Sequence, residues 1–136
     1  MKSYTDINQS RKLAEFLPLE SADMFLALNG TLPVMSKYID NGLVTADDTA
    51  IPCWSLTALL DVLPDEISTG EGYQNKYEID IRRYYGGNNI TLYQIAYGNN
   101  KGSSGSWHDI ISTSEQEKFV DVCYEMICWL KENGKI

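Results

Sequence analysis

The sequence predicts an α+β fold in which a small antiparallel sheet, built on a hairpin at residues 77–97, is packed by a C-terminal helix and a short helix at 55–63. Two β-rich segments flank Gly-Gly-Asn-Asn at 86–89, residues that tolerate the positive φ angles of tight turns. The C-terminal segment carries apolar residues at helical spacing and ends at Gly134. The length of 136 residues suits one domain, which we assign to residues 1–136.

The hairpin register follows from the point at which the chain reverses. A reversal at Gly87-Asn88 pairs Ile81 with Gln94, and a four-residue loop keeps the same pairs. Because side chains alternate along a strand, one predicted face is apolar, and it needs cover since a lone ribbon is marginal in water. That face carries Ile79, Ile81, Ile90, Leu92 and Ala96. The opposite face carries Glu78, Asp80, Arg82, Tyr84, Thr91, Tyr93, Ile95 and Tyr97.

The N-terminal half contains less regular patterns. Thr5 or Asp6 can cap a first helix that runs to about residue 17. Periodicity leaves helix and strand open for residues 21–28, whereas residues 31–38 contain a proline and suit an edge strand or an extended segment. We expect the extended pieces of this half to lie against the hairpin sheet as extra strands.

Both later helices have recognisable starts. Ser55 is placed to cap the short helix, whose leucines share one face and which stops at Pro64. Ser114 and Glu117 have the spacing of a capping box, which predicts that the last helix opens there. The apolar arc of that helix is broad, so we expect it to pack against the sheet.

A loop and a third strand connect the hairpin to the last helix. Residues 98–106 suit a flexible connector and lack the spacing of a phosphate-binding loop. The next segment can return as a strand with Trp107, Asp109 and Ile111 on one face. Trp107, His108 and Asp109 form the candidate pocket of a small enzyme or ligand-binding domain. Neighbouring strand residues point to opposite faces, so Asp109 is poorly placed to orient the imidazole, and we assign no catalytic residue.

Composition narrows the classes of function. The formal net charge of −8 argues against a protein that binds nucleic acid directly, because such binding depends on Lys and Arg. Cys53, Cys123 and Cys128 lack a ligand spacing, so we expect free thiols and predict no metal and no cofactor. No segment approaches the roughly 20 apolar residues of a membrane span, and the N-terminus lacks a signal-peptide core, so we expect a cytoplasmic protein with no membrane partner.

The second predicted face of the hairpin is rich in aromatic residues. The predicted register sets Arg82 opposite Tyr93, where a cation–π contact can form. A further strand or the N-terminal segment can cover these rings; left exposed, they suit a protein partner, since Tyr and Arg are favoured at interface centres. The candidate interaction surface consists of Arg82, Tyr84, Tyr93, Ile95 and Tyr97.

Three segments together carry a resemblance to known proteins. They are Ile51–Pro64, the tyrosine-rich hairpin and Asp121–Lys135, and residues 21–24 fit the same pattern. The chain resembles a group of short proteins, without an assigned activity, that are carried by gut Bacteroides-type bacteria and by their phages or integrated mobile elements. The resemblance implies a phage or mobile-element setting, and no functional residue transfers with it.

These observations favour a non-enzymatic binding or accessory protein of phage or mobile-element origin. It would act through contact with an unidentified protein partner or through self-association, for example as a homodimer. The first alternative is a small enzyme or ligand-binding domain with its pocket near Trp107 and His108. The second is an acidic mimic of nucleic acid that occupies a basic protein.

Overall fold

A computed structural model of the chain describes residues 2–27, 34–35, 50–70, 75–100 and 105–136. The chain divides into two compact units, Met1–Val62 and Leu63–Ile136, which we describe in turn. Each unit combines helical segments with antiparallel strands, which confirms the α+β fold class. The assignment of residues 1–136 to a single domain stays a prediction.

The first helix, α1 (Ile7–Ala14), begins at a capping box. The Asp6 side chain accepts a hydrogen bond from the Gln9 backbone N–H at 2.8 Å, and the Gln9 side chain accepts one from the Asp6 N–H at 3.1 Å. Asp6 is one of the two predicted caps; the other, Thr5, is fully buried. The regular helix ends at Ala14, earlier than the predicted residue 17, and the chain continues as a turn.

The first unit has a sheet of its own. A 3-10 helix (Leu19–Ser21) leads to β1 (Met24–Ala27), which pairs antiparallel with β2 (Val34–Met35) and with β3 (Ala50–Cys53). Of residues 21–28, which periodicity left open, 24–27 form β1 and Ser21 ends the 3-10 helix, while residue 28 lies outside the described residues. The prediction that these strands extend the hairpin sheet is wrong, because they form a separate sheet in the order β2-β1-β3. Residues 31–33 and 36–38 of the predicted edge segment lie outside the described residues.

The short helix predicted at 55–63 is α2 (Leu56–Val62) of the first unit. The Ala58 N–H donates to Ser55 Oγ at 3.2 Å, which confirms the predicted cap. Asp23 holds Ser55 in turn, because its carboxylate accepts from both the N–H and the hydroxyl of Ser55. The buried apolar residues of this unit include Leu13, Phe25, Cys53, Trp54 and Leu59.

The second unit is an antiparallel meander followed by a helix. Its strands β4 (Glu66–Ser68), β5 (Lys76–Tyr85), β6 (Thr91–Asn99) and β7 (His108–Ser112) lie side by side in that order. Strands β5 and β6 confirm the predicted hairpin, and β7 confirms the predicted third strand. The C-terminal helix α3 (Phe119–Glu132) contacts β6, as predicted. Across the described residues, no helix combines the length and apolar character that a membrane crossing requires.

The hairpin register differs from the predicted one by a single residue. Residues 87–89 form a three-residue loop at positive φ, and the residues on either side of it hydrogen-bond at 2.7 Å. This odd loop pairs Ile81 with Ile95, whereas the predicted two- or four-residue loop pairs Ile81 with Gln94. A slip of one residue turns a whole strand over. Every β6 side chain therefore lies on the face opposite to the predicted one.

The sheet of the second unit thus has a face beneath α3, the helix face, and an opposite one, the polar face. On the helix face, the Tyr93 ring stacks on Phe119 of α3 with centroids 4.8 Å apart, and Ile95 and Tyr97 are fully buried. From β5 and β6, the helix face carries Tyr77, Ile79, Ile81, Arg83, Tyr85, Thr91, Tyr93, Ile95 and Tyr97. The polar face carries Glu78, Asp80, Arg82, Tyr84, Leu92, Gln94, Ala96 and Gly98.

A bulge in β7 changes which of its side chains share a face. Tyr97 pairs with Ile111 and Gly98 pairs with Asp109, so Ile110 is the extra residue. The predicted placement of Asp109 and Ile111 on one face is therefore wrong. Asp109 lies on the polar face and Ile111 on the helix face.

The segment before α3 is extended, so the predicted capping box is wrong. The helix begins at Phe119 without a side-chain cap. The N–H and Oγ of Ser114 donate instead to the Glu125 carboxylate, at 3.1 and 2.8 Å. The backbone of Gln116 pairs with Tyr93 of β6, which prevents these residues from forming a first helical turn.

Candidate functional site

The polar face carries a hydrogen-bonded network centred on Arg82 of β5. The Arg82 guanidinium donates Nη1 and Nη2 to the two carboxylate oxygens of Asp109, at 2.8 and 2.5 Å, and donates Nε to Asp80 at 2.7 Å. Gln94 Oε1 accepts from Arg82 Nη1 at 3.3 Å and from the Tyr84 hydroxyl at 3.1 Å. This network ties β5, β6 and β7 together, and its bidentate fork fixes the geometry as well as the charge.

The electrostatics of the network favour a fixed ion pair. The hydrogen bonds from Arg82 lower the pKa of Asp109, against the opposing effect of its partial burial, and the Trp107 hydrogen bond lowers it further. The pKa of Arg82 is raised, first by its bonds to Asp109. Both groups therefore stay charged at neutral pH, and the arrangement suits positioning instead of proton transfer.

The Trp107 indole lies over the backbone of Gly98. Trp107 Nε1 donates to Asp109 at 2.6 Å, which places the ring beside the network. A Cβ atom added to Gly98 would lie 2.7 Å from Trp107 Nε1 and 2.5 Å from the His108 carbonyl oxygen, so only glycine fits. Sequence composition assigned Gly98 to a flexible loop, but the residue belongs to β6.

The structure divides the predicted interaction surface between the two faces. Arg82 and Tyr84 lie on the polar face, but Tyr93, Ile95 and Tyr97 lie on the helix face. The prediction that all five share one face is wrong, because the odd loop turns β6 over. Arg82 lies opposite Gln94 instead of Tyr93, so the expected cation–π pair does not form.

Tyr97 is part of the core instead of a binding surface. Its side chain is fully buried, and its hydroxyl donates to the Pro64 carbonyl oxygen at 2.7 Å. Burial raises its pKa, and the nearby Asp65 adds to this effect. The phenol therefore stays protonated and holds the segment before β4 to the sheet.

The structure brings two of the three predicted pocket residues together. Trp107 and Asp109 are hydrogen-bonded to each other. His108 lies opposite Asn99 in the strand register, so it belongs to the other face of the sheet. His108 is exposed, and the Asp109 oxygens already accept bonds from Arg82 and Trp107. Asp109 therefore orients Arg82 and Trp107 instead of the imidazole, and the geometry does not favour catalysis by His108.

The cysteines behave as structural thiols in the described part of the chain. Cys53, Cys123 and Cys128 are free, and the first two are buried. Burial raises the pKa of Cys123 to about 12, so this thiol is not a nucleophile at neutral pH. Within the described residues, no group of three His, Cys, Asp or Glu side chains is arranged to hold a metal ion.

The outer half of β5 has an edge that no described strand occupies. β4 pairs only with Lys76–Glu78, and the last bond on that side joins the Ile79 N–H to the Asp65 carbonyl oxygen at 3.0 Å. In an antiparallel strand, alternate residues direct their N–H and C=O groups to the same side. After Ile79, the residues whose backbone N–H and C=O groups point away from β6 are Ile81, Arg83 and Tyr85. We name these three residues the free edge.

Exposed side chains surround the free edge. Ile81 is 45% exposed and Tyr85 is 75% exposed on the helix face, beyond the cover of α3, while Tyr84 is 38% exposed on the polar face. Arg83 is also exposed and forms no ion pair with the described residues. Proteins usually shorten, cover or charge such an edge, because it can pair with another chain. An apolar and aromatic free edge is therefore the strongest candidate for a functional site.

Sequence reasoning missed this edge. The strand signals predicted the hairpin, but they contained nothing about how far β4 would run beside β5. The alternation of Ile81, Arg83 and Tyr85 was a usable signal, because this row is neither wholly apolar nor wholly polar. The predicted register places Ile81 in the core, so the sequence does not suggest an exposed apolar edge at this position.

Comparisons with protein-family models, with curated proteins and with solved structures gave no match.

Proposed function

We propose that this chain is a non-enzymatic binding or accessory protein that acts through contact with another protein chain, and that the outer half of β5 makes this contact. The observation that carries the proposal is the free edge together with the exposed side chains of Ile81, Tyr85 and the adjacent Tyr84. Large exposed apolar residues on a strand with one unpaired edge combine the two requirements of strand-mediated recognition, which are backbone hydrogen bonds and side-chain contacts.

The surroundings of the edge support recognition by a preformed surface. Asp80 and Asp109 fix the Arg82 side chain by hydrogen bonds. The neighbouring strand β6 is anchored in the core by the buried Ile95. A strand that is already ordered loses little conformational entropy on binding. The resemblance to proteins of Bacteroides-type bacteria and their mobile elements supports a phage or mobile-element setting for this protein.

The test compares apolar-to-charged variants at exposed positions, of which Ile81 and the control Leu19 have similar exposure. Ile81→Asp and Tyr85→Asp lie at the proposed contact, and Leu19→Asp is the control, since Leu19 is 51% exposed in the first unit. The full-length proteins are used for affinity capture from lysate of the source cells and for light scattering over a range of concentrations. Circular dichroism establishes that each variant is folded.

We expect the β5 variants to lose a captured partner, or to lose self-association, by tenfold or more, which corresponds to about 1.4 kcal/mol. The Leu19→Asp protein should behave as the wild type does. Equal binding by all four proteins, or equal loss in the control, would contradict the proposal.

A further inference from the structure

We propose that the free edge takes an extended acidic segment of a partner protein as an added β-strand, with a carboxylate opposite Arg83 and apolar side chains opposite Ile81 and Tyr85. This inference rests on the proposed function and names the chemistry of the partner. It is carried by the direction of the backbone groups, by the side chains that border them and by the charge of Arg83.

The backbone of the free edge is aligned for strand addition. The Ile79 N–H already donates to the Asp65 carbonyl oxygen, which fixes the outward alternation of the residues that follow. The even-numbered residues direct their backbone N–H and C=O groups toward β6, as the hydrogen bond from the Gly86 N–H to the Ile90 carbonyl oxygen also shows. Each free-edge residue therefore offers one donor and one acceptor in the plane of the sheet.

The side chains define the partner's sequence pattern. Residues directly opposite each other in neighbouring strands interact, and opposite charges or apolar–aromatic pairs are favourable. Ile81, Arg83 and Tyr85 share one face, so the added strand would place an apolar, an acidic and an apolar residue at alternate positions. This pattern is the same when read in either direction, so it holds for both strand orientations.

Charge selects an acidic residue for the central position. Arg82 is neutralised by Asp80 and Asp109, but Arg83 is exposed and has no ion pair among the described residues. It thus presents an uncompensated positive charge between two apolar side chains in a chain of net charge −8. A partner carboxylate at this position gains an ion pair that a neutral or basic residue does not.

A second copy of the chain fits the edge less well. Two-fold pairing centred on Arg82 sets Tyr85 against Ile79, whose N–H already bonds to Asp65. In pairing centred on Arg83, that arginine meets its own copy. Pairing centred on Tyr84 avoids this repulsion but sets Ile81 against Gly87, which lies in the turn at φ 79° and not in a strand. Self-pairing therefore uses less of the free edge than an added segment does.

The test uses a short acetylated and amidated peptide in which Val, Glu and Val alternate with Thr. Control peptides replace the Glu by Lys, or methylate the backbone nitrogens that would pair with β5. Binding to the full-length, isotopically labelled protein is followed by amide chemical shifts and by hydrogen exchange. We expect slowed exchange at the amides of Ile81, Arg83 and Tyr85, and little change in β6.

The charge arm tests the role of Arg83. The Glu peptide should bind about two- to fivefold more tightly than the Lys peptide, which is the range for a single cross-strand pair. In the Arg83→Glu variant this preference should reverse. With the wild-type protein, the peptide with methylated backbone nitrogens should not protect the amides of Ile81, Arg83 and Tyr85.

Three results would overturn the inference. They are protection elsewhere on the protein, equal binding of both peptides to the wild type and to Arg83→Glu, and amide protection that grows with protein concentration alone, which would assign the edge to a second copy. If peptides fail here while Ile81→Asp and Tyr85→Asp still abolish partner capture, the proposed function stands and only strand addition falls. If partner capture also survives those two substitutions, both proposals fall.

Discussion

Strands β5 and β6 belong to one hairpin, yet β6 is closed on both edges while the outer half of β5 is closed on one. Past the end of β7, the edge of β6 that faces away from β5 forms hydrogen bonds with residues that are not part of a strand. Thr113 donates its N–H to the Ile95 carbonyl oxygen at 2.8 Å, and its Oγ1 accepts the Ile95 N–H at 3.0 Å. The backbone of Gln116 then pairs with Tyr93 in both directions. No equivalent segment occupies β5 beyond Ile79 among the described residues.

The difference shows that cover by α3 and by a neighbouring segment, not composition, separates a core strand from an exposed one. Both strands are rich in aromatic and β-branched residues, but Ile95 is fully buried and Ile81 is 45% exposed. These two residues lie directly opposite each other on the same face. The position of α3 over β6, together with the segment at 113–116, accounts for the contrast.

The largest expected effect contrasts the paired isoleucines. Ile95→Ala should lower the free energy of unfolding by about 2–5 kcal/mol, because it opens a cavity beneath α3. Ile81→Ala removes the same atoms from a half-exposed site and should cost less than about 1 kcal/mol. Urea unfolding followed by circular dichroism measures both. Equal losses would show that the two strands are enclosed alike.

The second-largest effect on stability concerns the Thr113 side chain, which hydrogen-bonds to the edge of β6. Thr113→Val removes the acceptor for the buried Ile95 N–H and should cost about 1–3 kcal/mol. Thr113→Ser keeps the hydroxyl and serves as the control. Hydrogen exchange should speed up at the Ile95 amide in the valine variant alone; unchanged exchange would mean that the hydroxyl is dispensable.

The smallest effect concerns the ion pair that links β5 to β7. The pKa of Asp109 is lowered in the folded state, so its contribution to stability is present above its unfolded pKa of about 3.9 and is lost as the pH falls through the lower folded value. Because the pair is partly exposed, Asp109→Asn should cost no more than about 1 kcal/mol at neutral pH. Unfolding curves of both proteins should converge in acid below the folded pKa, and a constant difference would exclude this linkage.

Local signals predicted the elements, since each depends on neighbouring residues. Asp6 and Ser55 cap helices because their side chains reach the next backbone N–H groups, and the hairpin follows from its glycines and asparagines. The register could not be predicted in the same way. Residues 86–89 all accept turn conformations, so their local preferences suit loops of two, three or four residues equally.

The candidate site depended on that register. Arg82 and Tyr84 were correctly assigned to the face away from α3, because β5 carries both. Tyr93, Ile95 and Tyr97 were assigned to the wrong face with the rest of β6. The spacing of Ser114 and Glu117 gave a wrong prediction for a related reason. The backbone of this segment hydrogen-bonds to β6, which is distant in sequence, and no local sequence pattern indicates that pairing.

The three-residue turn constrains how this chain can vary through evolution. Residues 87–89 all adopt positive φ, a conformation that glycine and asparagine accept and that β-branched residues rarely adopt. Base substitutions that exchange one turn-forming residue for another leave the packing intact. Replacements of these three residues by β-branched ones should therefore be purged more strictly than exchanges among glycine, asparagine and aspartate, although the turn itself lies on the surface.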